Sequence, residues 1–158
     1  MRRFRTTRRV GHTADEMFDL VADIERYPQF LPLVASLRTR TRTDNPDGTV
    51  TLIADMTVAY KVLRETFTCR VALDRANLKI RAEYIDGPFS ELENRWNFTA
   101  VSEHSCDVEF YIAYEFKSRM FGLLLGAMFD ATFRRFAEAF ERRADVVYGQ
   151  VSRLSSPA

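Results

Sequence analysis

The side chains able to do acid–base, metal or nucleophilic chemistry are few and poorly spaced for it. There are two histidines. His12 precedes the run Thr13-Ala-Asp-Glu16, and His104 falls in Ser102-Glu-His-Ser105. Neither stands in an HExxH spacing and no CxxC occurs, so the sequence lays out no zinc or transition-metal site. Without GxGxxG or GxxxxGK(S/T), phosphate cradling by a glycine loop has no basis either. Gly122 and Gly126, separated by three leucines, read as close-packing positions. A serine nucleophile needs a partnered base, and neither histidine has an evident one. No cofactor is indicated. Two polar residues draw notice because they interrupt apolar faces: Glu65 between Leu63 and Phe67, and Asn94 between Leu92 and Trp96. Glu65 suits a sheet-end residue paired with an arginine, or an acid in a pocket. A buried amide must find hydrogen-bond partners, so Asn94 suits a tie to a neighbouring loop or a polar contact to a ligand.

The elements that must position these residues are legible from periodicity. Residues 3–10 read as a strand, and Thr13 to Glu16 form a capping box opening a helix with Met17, Phe18, Val21 and Ala22 near one face. Pro28 and Pro32 reduce Tyr27 to Leu33 to a short helical turn and a loop. Strands follow over Val34 to Thr43, Val50 to Tyr60, Leu63 to Leu73, Leu78 to Tyr84, Leu92 to Phe98 and Cys106 to Phe116. They are broken by Asn45-Pro-Asp-Gly48, Asp74 to Asn77, and Asp86-Gly-Pro88. One apolar and one wet face on each strand means an antiparallel sheet covered on one side. From Arg119 to about Gly149 the period becomes helical, enough for one helix of roughly 45 Å. The expected class is α+β, a curved antiparallel sheet of six or seven strands around a long C-terminal helix, with a pocket between them.

The 158 residues, 46% apolar, suit one domain over residues 1–150, with 151–158 as a flexible tail. The formal charge of +1 conceals a bias. Arg2, Arg3, Arg5, Arg8 and Arg9 lie in the first nine residues with no acid, leaving 18 basic against 22 acidic residues elsewhere. A generally basic nucleic-acid surface is therefore not indicated, although a basic arm is. Cys69 and Cys106 both fall on apolar strand faces and read as reduced, buried thiols of an intracellular protein. No apolar segment follows Met1-Arg2-Arg3, which argues against secretion. Met120 to Phe129 falls short of the roughly 20 residues a membrane span needs. The expected location is the cytoplasm, with peripheral contact at the inner face of the membrane left open.

The runs Tyr27-Pro-Gln-Phe30-Leu31-Pro32, Asp86-Gly-Pro-Phe89 and Leu92-Glu-Asn94-Arg-Trp96-Asn-Phe98, with Ala139-Phe140-Glu-Arg-Arg143-Ala144 and Tyr148-Gly149, follow one another in order. Together they resemble the Coq10/RatA-type branch of the START-like (polyketide cyclase/dehydrase, SRPBCC) superfamily over nearly the whole chain. That resemblance implies a helix-grip fold with a hydrophobic tunnel. It also implies a coenzyme Q-binding lipid chaperone that supports respiration rather than an enzyme. Some bacterial relatives are instead toxins that bind the large ribosomal subunit and block subunit association, and an aromatic polyketide cyclase is a weaker third possibility.

A ligand with a prenyl tail needs an apolar, aromatic-lined channel. The candidate lining residues are Tyr27, Phe30, Leu31, Met56, Val58, Phe67, Tyr84, Phe89, Asn94, Trp96, Phe110, Tyr114, Met128, Phe129, Phe133 and Phe136. Each could equally be plain core. Head-group selection would fall to Tyr27, Asn94 or Tyr84. Phe121, Leu124 and Leu125 belong to a stretch apolar on more than one helical face, which marks a membrane contact, a partner or a homodimer interface. Arg2, Arg3 and Arg5, with Arg8, Arg9, Arg38, Arg40 and Arg42, could meet anionic lipid, ribosomal RNA phosphates, or the acids of neighbouring strands.

Overall fold

Alternation of apolar and polar residues builds most of the molecule. The computed structural model describes residues 1–149, so the expected tail at 151–158 lies outside the described residues. The strands are β1 (Arg2–Val10), β2 (Val34–Asp44), β3 (Val50–Tyr60), β4 (Leu63–Asp74), β5 (Lys79–Asp86), β6 (Phe89–Ser102) and β7 (Ser105–Phe116). They form one antiparallel seven-stranded sheet in the order β1-β7-β6-β5-β4-β3-β2. Consecutive strands from β2 to β7 are hairpin neighbours. Gly48, with φ of +89°, supplies the left-handed residue of the β2–β3 turn and donates its amide to Asn45 O at 3.0 Å. Register irregularities interrupt the β2–β3, β4–β5 and β6–β7 pairings, and such bulges bend a sheet.

Between β1 and β2 run α1 (Ala14–Ala22) and a short 3-10 helix over Ile24–Gln29. The capping box is complete: Glu16 N donates to Thr13 Oγ1 at 3.0 Å and Thr13 N to Glu16 Oε1 at 2.9 Å. Met17 and Val21 are fully buried beneath α1.

The C-terminal helix is not continuous, contrary to the single helix its apolar stripe suggests. It divides into α2 (Arg119–Arg134) and α3 (Phe136–Tyr148) at Arg135, whose amide bonds to Thr132 O in a tightened turn. Leu125, Phe129, Phe133 and Ala137 are buried at successive four-residue steps. Each such step turns the stripe about 40° further around a straight helix, so an unbroken rod would carry it off the sheet. Thr132 Oγ1 also donates back to Met128 O at 2.9 Å, a bond that bends helices. The segment α2 rests on β7 and β1, and α3 packs on β1 and α1. The sheet and these helices make the α+β, helix-grip arrangement.

Candidate functional site

Two apolar cavities lie between the sheet and α2. The larger, of about 100 Å³, is walled by β2 to β7, the short helix and the loop after it, and α2 with Phe136. Its sheet wall comes from the inward register of adjacent strands, as where Met56 faces Phe67 and Ile80 faces Trp96. The smaller, of about 20 Å³, lies under the β3–β4 hairpin, Pro88 and the first half of α2. Leu33, Val58 and Phe129 line both and stand between them. Leu33 holds φ of +70°, an uncommon conformation for a branched residue, and its carbonyl accepts from Ala59 N at 2.9 Å.

The polar atoms of the larger cavity are almost all committed to the protein. Asn94 Nδ2 donates to Tyr111 O at 3.0 Å, and Asn94 Oδ1 accepts from Trp96 Nε1 at 2.9 Å. The amide therefore ties β6 to a neighbouring strand rather than to a loop, and leaves one of its two N–H groups without a partner among the described residues. Tyr27 donates its hydroxyl to Val21 O. Burial, helped by the charge of Asp23, pushes that phenol well above its ordinary pKa. The hydroxyl of Thr132 is spent on Met128 O. Burial raises the Cys69 thiol to about 12, so it is neither an acid nor a nucleophile near neutral pH. Such a wall can hold an apolar body and offer one hydrogen bond to an oxygen. It presents no acid–base pair.

The sequence-selected residues divide by place. Tyr27, Met56, Val58, Phe67, Asn94, Trp96, Phe129, Phe133 and Phe136 line the larger cavity. Val58, Phe89, Met128 and Phe129 line the smaller, with Phe121 and Leu125. Phe30, Leu31, Tyr84, Phe110 and Tyr114 line neither. Phe30 packs edge-on against Tyr27 and Phe140, and Leu31 is buried. The hydroxyl of Tyr84 accepts from Phe89 N at 3.2 Å. Phe110 is locked among Phe4, Trp96 and Phe136. Tyr114 donates to Gly126 O at 3.4 Å, its phenol raised to about 12 chiefly by burial. Ile24, Leu33, Val34, Leu37, Ala54, Cys69, Val71, Ile80, Ala82, Leu92, Ile112 and Thr132 also line the larger cavity. The same alternation marks the strand residues among them, and choosing by aromaticity passes them over.

Glu65 lies half-buried in the wall of the smaller cavity, beside Arg64, and forms no ion pair among the described residues. Leu125 is buried, a correction to its expected place on an exposed contact face, because it points with Phe129 toward the sheet. Most N-terminal and β2 arginines are taken up by acids: Arg2 by Asp130, Arg5 by Glu109, Arg8 by Glu141, Arg9 by Asp107, Arg40 by Asp55 and Arg42 by Asp44. Arg3 and Arg38 have no such partner among the described residues. Among these residues no helix is long and apolar enough to cross a membrane.

Comparison with known proteins accords with this geometry. The family model described as polyketide cyclase / dehydrase and lipid transport matches residues 10–141. The chain is 34% identical over 139 residues to the ribosome association toxin RatA of Escherichia coli (strain K12), covering 88% of this chain and 84% of that protein. It is 27% identical over 145 residues to the mitochondrial coenzyme Q-binding protein COQ10 homolog B of Xenopus laevis, covering 89% and 57% respectively. Among solved structures, the 18 kDa protein CC1736 of Caulobacter crescentus superposes with a TM-score of 0.76 at 32% identity. That match covers 94% of this chain and 99% of the other.

Proposed function

The chain belongs to the polyketide cyclase/dehydrase and lipid transport family, in its Coq10/RatA branch, and on that premise we propose that it binds and chaperones a hydrophobic small molecule without altering it. The favoured ligand is a quinone with an isoprenoid tail, which would place the protein in the service of respiratory electron transport. The observation that carries this reading is the larger cavity: apolar walls, with all but one of the polar groups described above already bonded within the protein. Burying a hydrocarbon there costs no charge desolvation and gains roughly 0.8 kcal/mol per CH₂. The remaining N–H of Asn94 suits a quinone carbonyl.

Size sharpens the reading. At about 100 Å³ the cavity has room for no more than a single ring, an apolar cavity of roughly 150 Å³ being one that takes benzene. A tail must therefore pass Leu33, Val58 and Phe129 into the smaller cavity and leave by its mouth. The absence of a free acid–base pair on the lining residues favours binding over a cyclase-like reaction, and a cytoplasmic carrier touching the inner face of the membrane suits the cargo.

The deciding experiment is organic extraction and mass spectrometry of protein purified from a quinone-producing host. A co-purifying isoprenoid quinone is expected. A reproducibly empty cavity that also rejects added quinone overturns the proposal.

The relative named a ribosome association toxin, at 34% identity, favours a second reading: binding of the large ribosomal subunit. Against it, most arginines of β1 and β2 are already neutralised by neighbouring acids. Co-sedimentation with large subunits should then fall steeply with salt. No co-sedimentation even at low salt removes this reading.

A further inference from the structure

We infer that the end of the molecule formed by the β3–β4 hairpin and the first half of α2 is a docking face for an anionic bilayer, through which the ligand enters. This rests on the carrier reading and names the surface that serves the same cavity.

Between Met120 and Phe129 the helix carries no charged residue. Leu125 and Phe129 face the core, while Phe121 and Met128 face the smaller cavity. The remaining arc faces out: Met120 is 69% exposed, Leu123 86% and Leu124 71%. Along this helix, apolar surface thus runs from the exterior into the cavity. Across the opening stands the β3–β4 turn, whose Val62 is 97% exposed and whose flanking Tyr60 and Leu63 line that cavity. Two apolar projections flanking one apolar opening suit interfacial insertion, not spanning.

Charge selects the partner. Lys61, Arg64, Lys117 and Arg119 border the two projections, and none forms an ion pair among the described residues. Four acids stand nearby. Glu65 lines the smaller cavity, Asp86 lies by the β5–β6 turn, Glu91 is the register partner of Glu115, and Glu115 pairs with the Met1 amino group at 3.5 Å. The outward rim is net positive. Each cation near an anionic leaflet contributes about 1 kcal/mol. A second copy docked by a two-fold axis would set this rim against itself, and RNA would use the cations but leave the leucines and Val62 in water.

The test is flotation of the full chain, without quinone, with vesicles of phosphatidylcholine alone or with roughly one-third phosphatidylglycerol. Binding to the anionic vesicles is expected, with weak binding to the neutral ones. Leu123→Ser with Leu124→Ser, and separately Val62→Ser, should each lower it roughly tenfold. Lys61→Glu with Arg64→Glu should remove the preference for anionic lipid. All these side chains are exposed, and circular dichroism checks that the fold is kept. The inference is overturned if the parent chain fails to float, or if the apolar variants bind as it does. It is equally overturned if those variants only dissociate a dimer. Quinone titration in vesicle-free solution reads the carrier proposal separately, so either can fail alone.

Discussion

Trp96 donates its indole N–H to Asn94 at 2.9 Å, and both side chains face the larger cavity. Trp96 is the sole tryptophan, so its emission reports that cavity alone. A short-chain benzoquinone should quench it saturably. Asn94→Leu leaves the buried indole N–H without a partner, which costs about 1–3 kcal/mol. It also removes the one free amide donor. The expected result is a lower urea midpoint, a shifted emission maximum and weaker quenching. Unchanged quenching by the quinone would remove Asn94 from head-group recognition.

Trp96 also marks the boundary of what the sequence discloses. Trp96 and Phe110 are register partners on adjacent strands and both point inward. Alternation assigns each to the covered face, correctly. It does not tell that Trp96 borders empty space while Phe110 is enclosed by Phe4 and Phe136. Whether an inward side chain meets a neighbour or a void depends on residues far away in sequence. The succession of strands along the chain and the capping box are local and were legible. The break at Arg135 was not, because it follows from how the stripe must meet a curved sheet and has no proline to announce it. Glu65 was legible as an anomaly through its place in an apolar alternation, and the structure supplies its setting in the smaller cavity.

Two glycines should respond oppositely to alanine. At Gly87, φ is +141° and a Cβ would lie 2.5 Å from Phe67 Cβ and 2.9 Å from Phe67 Cα, atoms held by β4. Gly87→Ala should cost about 2–4 kcal/mol and disturb the cavity wall at Phe67. At Gly126 the three atoms nearest to such a Cβ all belong to the guanidinium of Arg2, the far end of a flexible side chain. Alanine gains up to about 1 kcal/mol of helix propensity there, so Gly126→Ala should be neutral or stabilising. Urea denaturation of both variants checks the contrast.

His12 fastens the β1–α1 corner to α3. Its ring is 2% exposed, with Nε2 2.7 Å from Asp145 Oδ1 and Nδ1 lacking a partner among the described residues. A carboxylate accepts, so Nε2 carries the proton. Asp145→Ala strands both ring nitrogens and should cost about 1–3 kcal/mol. Asp145→Asn retains an acceptor oxygen and should cost less. Equal losses in denaturation would show that the hydrogen bond contributes nothing beyond packing.

Asp55 links stability to acid pH. Its carboxylate accepts from Thr68 Oγ1 at 2.6 Å and from Arg40 Nε at 2.6 Å. The Thr68 hydroxyl foremost, then Arg40, holds its pKa below the ordinary carboxylate value despite some desolvation. A folded-state pKa below the unfolded one gives stability that is complete above the unfolded value, about 3.9, and lost as pH falls through the folded value. Thr68→Val should therefore cost about 1–2 kcal/mol at neutral pH and make the loss of stability below about pH 4 shallower. Denaturation midpoints measured across that range decide it. An acid limb as steep as the parent's would dissociate Asp55 from Thr68.

Phe129 separates the two cavities and Phe110 does not, which distinguishes a gate from a core residue. Phe129 packs on Phe116 at 5.4 Å and Phe133 at 5.9 Å, and Phe110 on Trp96 at 4.8 Å. Trimming either to leucine should destabilise by about 1–3 kcal/mol through lost contacts and a residual void. Only Phe129→Leu widens the passage beside Leu33 and Val58. In stopped-flow quenching of Trp96, it should speed association of quinones with and without a prenyl tail, since the ring must pass this constriction to reach Trp96. Phe110→Leu should match it in stability loss and leave both rates as they are. If the two variants accelerate binding alike, general loosening explains the effect and the constriction is no gate. Acceleration confined to Phe129→Leu places the rate-limiting step of entry at the contact between α2 and β3.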